Sequence, residues 1–66
     1  MTPLERRALE QVKEAGRKGL QVERGWESTT QAGLVEQGLL WQEHGKHGRW
    51  KFTLSPSGER AMDGSG

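Results

Sequence analysis

The residues best suited to chemistry lie between positions 44 and 51, where fixed positive charges and imidazoles follow one another closely. They are His44, Lys46, His47, Arg49 and Lys51. Lysine and arginine in such a cluster contact phosphate oxygens of nucleic acids, and histidines add charge in mild acid. Cationic side chains also keep an exposed sheet edge from pairing with other chains. The pattern therefore indicates either a phosphate-binding surface or a solvated hairpin.

A second group of polar residues precedes this cluster and consists of hydroxyls and amides. Its members are Ser28, Thr29, Thr30, Gln31 and Gln37. Such side chains form hydrogen bonds with base edges in a DNA groove, but they also cap and start helices. Three upstream cations, Arg17, Lys18 and Arg24, can contact a DNA backbone. Arg17 and Lys18 equally suit the negative end of a helix dipole.

The sequence carries no signal for catalysis or cofactor binding. Neither histidine has an orienting carboxylate at a suitable spacing, the serines lack a strained nucleophile turn, and no glycine-rich phosphate loop occurs. His44 and His47 have no cysteine or carboxylate cluster near them, whereas a transition-metal site needs three or four ligands. We expect a protein that is not an enzyme and that uses no metal and no other cofactor.

Length and composition restrict the class of protein. The chain has 66 residues, no cysteine, and a net charge of +1 from 10 Lys and Arg against 9 Asp and Glu. A chain of this size forms one domain, which we place at residues 1–62, and residues 63–66 are typical of a disordered tail. Disulfides are excluded, and there is no secretory signal and no apolar run of the ~20 residues that a membrane helix needs. We expect a cytoplasmic protein without membrane contact.

The first helix is marked by local signals at both ends. Thr2 is the predicted N-cap, Glu5 completes a capping box, and Gly16 ends a helix over residues 3–15. One face of this helix is apolar and consists of Leu4, Ala8, Leu9, Val12 and Ala15. That face is expected to enter the core.

Two further helices follow after an irregular connector. We expect a short extended segment at residues 20–22 and one helical turn at residues 23–26. Ser28 caps a second helix over residues 29–37, and a third helix runs from residue 56 to about residue 62 after Ser55.

From Leu39 the apolar period changes to two, which predicts a β-hairpin with its turn at residues 45–48. The expected pairs are His44 with Arg49, Glu43 with Trp50, Trp41 with Phe52 and Leu39 with Leu54. One face is then apolar and carries Leu39, Trp41, Trp50, Phe52 and Leu54. The solvent face carries Leu40, Gln42, His44, Arg49, Lys51 and Thr53. Trp41 and Trp50 become core residues, whereas exposure of Trp26 beside Leu20 indicates a protein interface.

Two stretches resemble the winged helix-turn-helix family of bacterial transcriptional regulators. Leu34-Val35-Glu36-Gln37-Gly38-Leu39-Leu40 is similar to the end of the recognition helix, and Thr53-Leu54-Ser55-Pro56-Ser57-Gly58-Glu59-Arg60 is similar to the junction between wing and last helix. The resemblance covers about residues 3–62. It implies an α+β winged fold with about three helices and a two- or three-stranded antiparallel sheet. The chain departs from the family in its abbreviated helix two and in a recognition helix without Lys or Arg.

The resemblance implies a module that binds double-stranded DNA, either sequence-specifically or generally. Such a module serves as a small transcriptional regulator or as an accessory protein of a phage or plasmid. The helix over residues 29–37 is expected in the major groove and the wing over residues 46–51 on the neighbouring backbone. Few phosphate contacts favour a homodimer. The alternative is a winged-helix module that binds another protein through Leu20 and Trp26, without nucleic acid.

Overall fold

A computed structural model describes residues 2–63, in which helices and strands follow a mixed order. The elements are α1 (Pro3–Ala15), a 3-10 turn (Gly16–Lys18), β1 (Leu20–Glu23), α2 (Thr29–Glu36), β2 (Leu40–His44), a second 3-10 turn (Lys46–Gly48), β3 (Arg49–Leu54) and α3 (Pro56–Asp63). Three helices and one three-stranded antiparallel sheet confirm the expected α+β class. Asp63 is the last residue of α3, and the rest of the expected tail lies outside the described residues.

The capping signals of the sequence act as predicted. The Thr2 hydroxyl accepts from the Glu5 backbone N–H at 3.2 Å, and the Glu5 carboxylate accepts from the Thr2 backbone N–H at 3.0 Å. Ser28 and Gln31 form the same reciprocal pair at the start of α2, with both distances 3.0 Å. Each capping box satisfies two N–H groups that a helix end leaves free. The starts of α1 and α2 are therefore fixed by local sequence.

The sheet places β3 in the centre, between β1 and β2. Leu20 lies opposite Phe52, and Val22 lies opposite Trp50. The short extended segment predicted at residues 20–22 is thus confirmed as part of β1, which becomes an edge strand of the sheet.

The predicted register of the β2–β3 hairpin is wrong by one residue. Leu40 pairs with Leu54, and His44 pairs with Trp50. The cause is a bulge at the tip: the Gly45 N–H donates to the Arg49 carbonyl at 2.8 Å, and the Arg49 N–H donates to the Lys46 carbonyl. Two residues therefore lie opposite Arg49, and such an insertion shifts the pairing. His47 (φ 58°) and Gly48 (φ 72°) supply the left-handed turn that closes the hairpin.

This shift moves side chains of β2 to the opposite face, because the side-chain period of a strand is two. Leu40, expected in solvent, is 1% exposed, whereas Trp41, expected in the core, is 52% exposed beside Thr53. Gln42 and His44 share the inner face with Phe52 and Trp50 instead of facing the side of Arg49 and Lys51. The inner face is the one covered by the helices. The buried residues of α1 and α2 pack against this inner face.

The core lies between the inner face of the sheet and the helices. Its buried apolar members are Ala8, Leu9, Val12, Leu34, Leu40 and Phe52. Leu4 does not join them and is mostly exposed, so the predicted stripe of α1 begins one turn later. No helix within residues 2–63 is long and apolar enough to span a lipid bilayer.

The connector between β1 and α2 contains no helical turn. Arg24 and Gly25 form a turn, and residues 26–28 have no regular structure, so the helical turn predicted at residues 23–26 is wrong. Gly25 adopts φ 87°, a left-handed conformation that ends regular structure after β1. Trp26 follows this turn and is 78% exposed.

Candidate nucleic-acid interface

The basic residues near the hairpin tip line one open groove of about 700 Å³. Its lining residues are Lys18, Gln21, His44, Gly45, Lys46, His47, Arg49 and Lys51. Four of these carry a fixed positive charge, and His44 and His47 add two imidazoles. Five residues of the predicted wing cluster thus come together, and Lys18 joins them from the 3-10 turn before β1.

The register explains why these cations share a surface. Arg49 and Lys51 alternate with Trp50 and Phe52 along β3, so they project from the outer face while the aromatic residues project inward. Gln21 lies opposite Lys51 on β1 and faces the same way. The groove therefore occupies the tip of the hairpin and the adjoining outer face of the sheet.

The cations of the groove carry uncompensated charge. Within residues 2–63 the single ion pair joins Arg6 and Glu10 at 3.6 Å, on α1. Glu23 lies opposite Arg49 and Glu43 lies opposite Lys51, but neither carboxylate comes within 4.0 Å of a cationic nitrogen. Charges without a partner remain available to an anionic ligand, and both carboxylates reduce the positive potential around them.

Two glycines allow side chains of the groove to pack directly against the backbone. A Cβ at Gly45 would lie 2.5 Å from Gln21 Oε1, and a Cβ at Gly19 would lie 2.7 Å from Lys51 Cγ. The Gln21 amide also donates to the Lys18 carbonyl at 3.4 Å. Gln21 is thus part of the surface, although no motif in the sequence marked it. The one signal in the sequence is that polar Gln21 stands between apolar Leu20 and Val22, which predicts that Gln21 projects from the opposite face of β1. When β1 pairs with β3, that face also carries Lys51.

Arg24 and His44 form a second cluster on the inner side of the hairpin, and His44 also lines the edge of the groove. Arg24 Nη2 lies 2.6 Å from His44 Nδ1, and the Arg24 guanidinium lies 4.9 Å from the centroid of the Trp50 ring. Because arginine only donates, Nδ1 accepts this hydrogen bond. Arg24 is therefore held against Trp50 and does not line the groove.

The polar residues predicted to read DNA bases are largely occupied within the fold. Gln31 is 9% exposed, and its side chain belongs to the capping box with Ser28. The Gln37 amide donates to Glu5 Oε2 at 3.0 Å. The hydrogen bond from the Thr2 backbone N–H, and then this one from Gln37, lower the pKa of Glu5 to about 2. Thr29 is exposed and Thr30 is half-buried.

Arg17 lies outside the groove, although it neighbours Lys18 in the chain. It lines a different hollow of about 310 Å³ between α1, β3 and α3, beside Lys13 and Glu59. In the part of the chain that the structure describes, no three side chains of the metal-binding types converge. Comparison with known proteins gives no match to a family model, to a curated protein or to a solved structure.

Proposed function

We propose that the chain is a small DNA-binding module that contacts double-stranded DNA through the groove at the hairpin tip. The observation that carries this proposal is the convergence of Lys18, Lys46, Arg49 and Lys51 on one open surface, without an ion-pair partner among residues 2–63. Neutralisation of phosphates by lysine and arginine releases condensed counterions, which supplies most of the non-specific affinity for DNA. A surface of this kind suits a regular array of phosphates.

The order of the elements supports the same proposal. A helix, a strand, a second helix, a hairpin with a basic tip and a last helix follow one another, and β3 lies between β1 and β2. This arrangement agrees with the winged-helix resemblance in the strand order and in the hairpin, which is the wing, whereas the abbreviated helix two of that family does not form between β1 and α2. By that analogy the module acts in the cytoplasm in the regulation of transcription or as an accessory protein of a phage or plasmid.

Titration of a fluorescently labelled duplex tests the proposal. With four phosphate contacts, the logarithm of the association constant should fall against the logarithm of salt concentration with a slope of about −3.5. The triple variant K46A/R49A/K51A should bind at least about tenfold more weakly at low salt. The variant R7A/K13A/R60A removes the same charge from α1 and α3 and should bind nearly as well as the natural chain. Absence of binding at low salt, or equal effects of the two variants, would overturn the proposal.

A protein-binding module is the second candidate, and exposed tryptophans favour it. Trp26 is 78% exposed and Trp41 is 52% exposed, and exposed indoles are common at protein interfaces. Of the two residues expected to form that interface, Trp26 is exposed, whereas Leu20 is half-buried and packs on the core. Sedimentation of the chain alone tests the homodimer version: a dimer that W26A or W41A dissociates supports it, and a monomer at all concentrations contradicts it.

A further inference from the structure

We infer that the chain holds a duplex on the outer face of its sheet through phosphates alone, with α2 directed away from the DNA and without preference for base sequence. This inference rests on the proposed function and specifies its binding mode. It differs from the mode that the sequence suggested, in which α2 enters the major groove. Three features of the described residues carry it.

The first feature is the position of α2 relative to the groove. Leu34 of α2 is completely buried and packs in the core with Leu40 and Phe52, which project from the inner face of the sheet. Arg49 and Lys51 project from the outer face of the same sheet. The sheet therefore separates α2 from these two cations. A rigid duplex resting on the outer face is held away from α2.

The second feature is charge. No Lys or Arg occurs between Arg24 and Lys46, and α2 with the connector before it contains Glu27 and Glu36. Glu36 is an exposed residue in the last turn of α2. A helix without cations and with an exposed carboxylate repels the phosphates that flank a major groove, because like charges raise the free energy of the complex. The groove attracts the same phosphates, because its four cations outnumber the two carboxylates of the outer face, Glu23 and Glu43.

The third feature is the shortage of free hydrogen-bonding groups on α2. The Gln31 side chain is engaged with Ser28, and the Gln37 amide donates to Glu5. Thr29 remains the exposed hydroxyl of the first turn. Reading a base pair requires a bidentate side chain or several convergent donors and acceptors. The groove, in contrast, presents three lysines, which act as point charges, and one arginine. Contacts of these cations with phosphates carry no sequence information.

Two variants that each add one lysine distinguish the two faces. Gln21→Lys places a new cation on the outer face beside Lys51, and Ala32→Lys places one on the exposed surface of α2. At low salt Gln21→Lys should raise the affinity for a duplex of about 20 base pairs severalfold and steepen the salt slope by about 0.9, because it adds one phosphate contact. Ala32→Lys should change the affinity by less than twofold. Thermal melts of both variants confirm that each is folded.

Sequence independence is measured with two duplexes of equal length, one rich in A·T and one rich in G·C. The inference expects affinities that agree within about threefold, with amide chemical shifts moving in β1, β3 and the tip and staying constant in α2. A preference above tenfold, shifts in α2, or an equal gain from Ala32→Lys would overturn the inference while leaving DNA binding intact. If the natural chain binds neither duplex at low salt, the proposed function fails together with it.

Discussion

Trp50 and His44 face each other across the hairpin, with their ring centroids 5.0 Å apart and an interplanar angle of 33°. This pair defines the register, since it can form only when Leu40 also lies opposite Leu54. It places Trp50 on the covered face of the sheet, half-buried, with Val22 on its other side. Trp41 is left on the open face. Two tryptophans of one hairpin therefore have different structural roles.

The two indoles should contribute unequally to stability. Trp50→Ala removes a half-buried ring and its contacts with Arg24 and His44, and we expect the free energy of unfolding to fall by about 2 kcal/mol. Trp41→Ala removes an exposed ring and should lower it by less than about 1 kcal/mol. Urea unfolding measures both values. Equal losses of unfolding free energy would instead support the register predicted from the sequence, in which both indoles point inward.

The helices of this fold could be predicted because their signals are local. Thr2, Glu5 and Gly16 mark both ends of α1 within a few residues, and Ser28 with Gln31 marks the start of α2. Each signal is a hydrogen bond between groups close in the chain. No distant contact is needed to interpret it.

The register of the hairpin could not be predicted in the same way. It depends on the bulge at Gly45 and on a left-handed His47, a conformation that residues other than glycine rarely adopt. Leu39 and Trp41 are together more apolar than Leu40 and Gln42, so the sequence pattern predicted that Leu39 and Trp41 face the core. That prediction chose the wrong face of β2. The cations of the wing could be identified from the sequence alone. The contributions of Gln21 and Lys18 depend on the pairing of β1 with β3, which joins residues far apart in the chain.

Gly58 and Gly33 should respond in opposite ways to substitution by alanine. Gly58 is buried at the start of α3, and a Cβ there would collide with the Leu39 carbonyl oxygen, a backbone atom. Gly58→Ala should destabilise the fold by about 2 kcal/mol or more, because the helix must move. A Cβ at Gly33, within α2, meets no atom within 4 Å. Gly33→Ala should therefore stabilise the fold by about 0.5 to 1 kcal/mol, since alanine favours the helical conformation more than glycine does. Thermal denaturation compares the two, and destabilisation by both variants would contradict the close contact specific to Gly58.

Glu5 should make stability depend on acid pH. Its pKa is about 2 in the folded chain against an ordinary 4.5, since the Thr2 backbone N–H and the Gln37 amide stabilise the carboxylate. The unfolded chain therefore takes up a proton before the folded chain does. The contribution of Glu5 is complete above about pH 4.5 and disappears as the pH falls toward 2.

The matched variant for this dependence is Glu5→Gln, which retains a capping-box side chain without its charge. Unfolding in urea between pH 5 and pH 2 should show a shallower loss of stability for Glu5→Gln than for the natural chain. The difference between the two curves isolates Glu5 from the other carboxylates. Parallel curves would show that the hydrogen bonds to Glu5 do not persist in solution.

Ser55 joins the hairpin to α3 and should be sensitive to loss of its hydroxyl. Its Oγ donates to the Gly38 carbonyl and accepts from the Gly58 N–H at 3.0 Å, and the residue is 3% exposed. Ser55→Ala leaves both backbone groups without this partner, and the Gly58 N–H is buried, so we expect a loss of about 1 to 3 kcal/mol. Ser57→Ala, two residues away on the exposed side of α3, should change stability by less than about 0.5 kcal/mol. Because both substitutions remove one hydroxyl from neighbouring positions, equal effects in urea unfolding would mean that the Ser55 bridge between Gly38 and Gly58 contributes nothing to the fold.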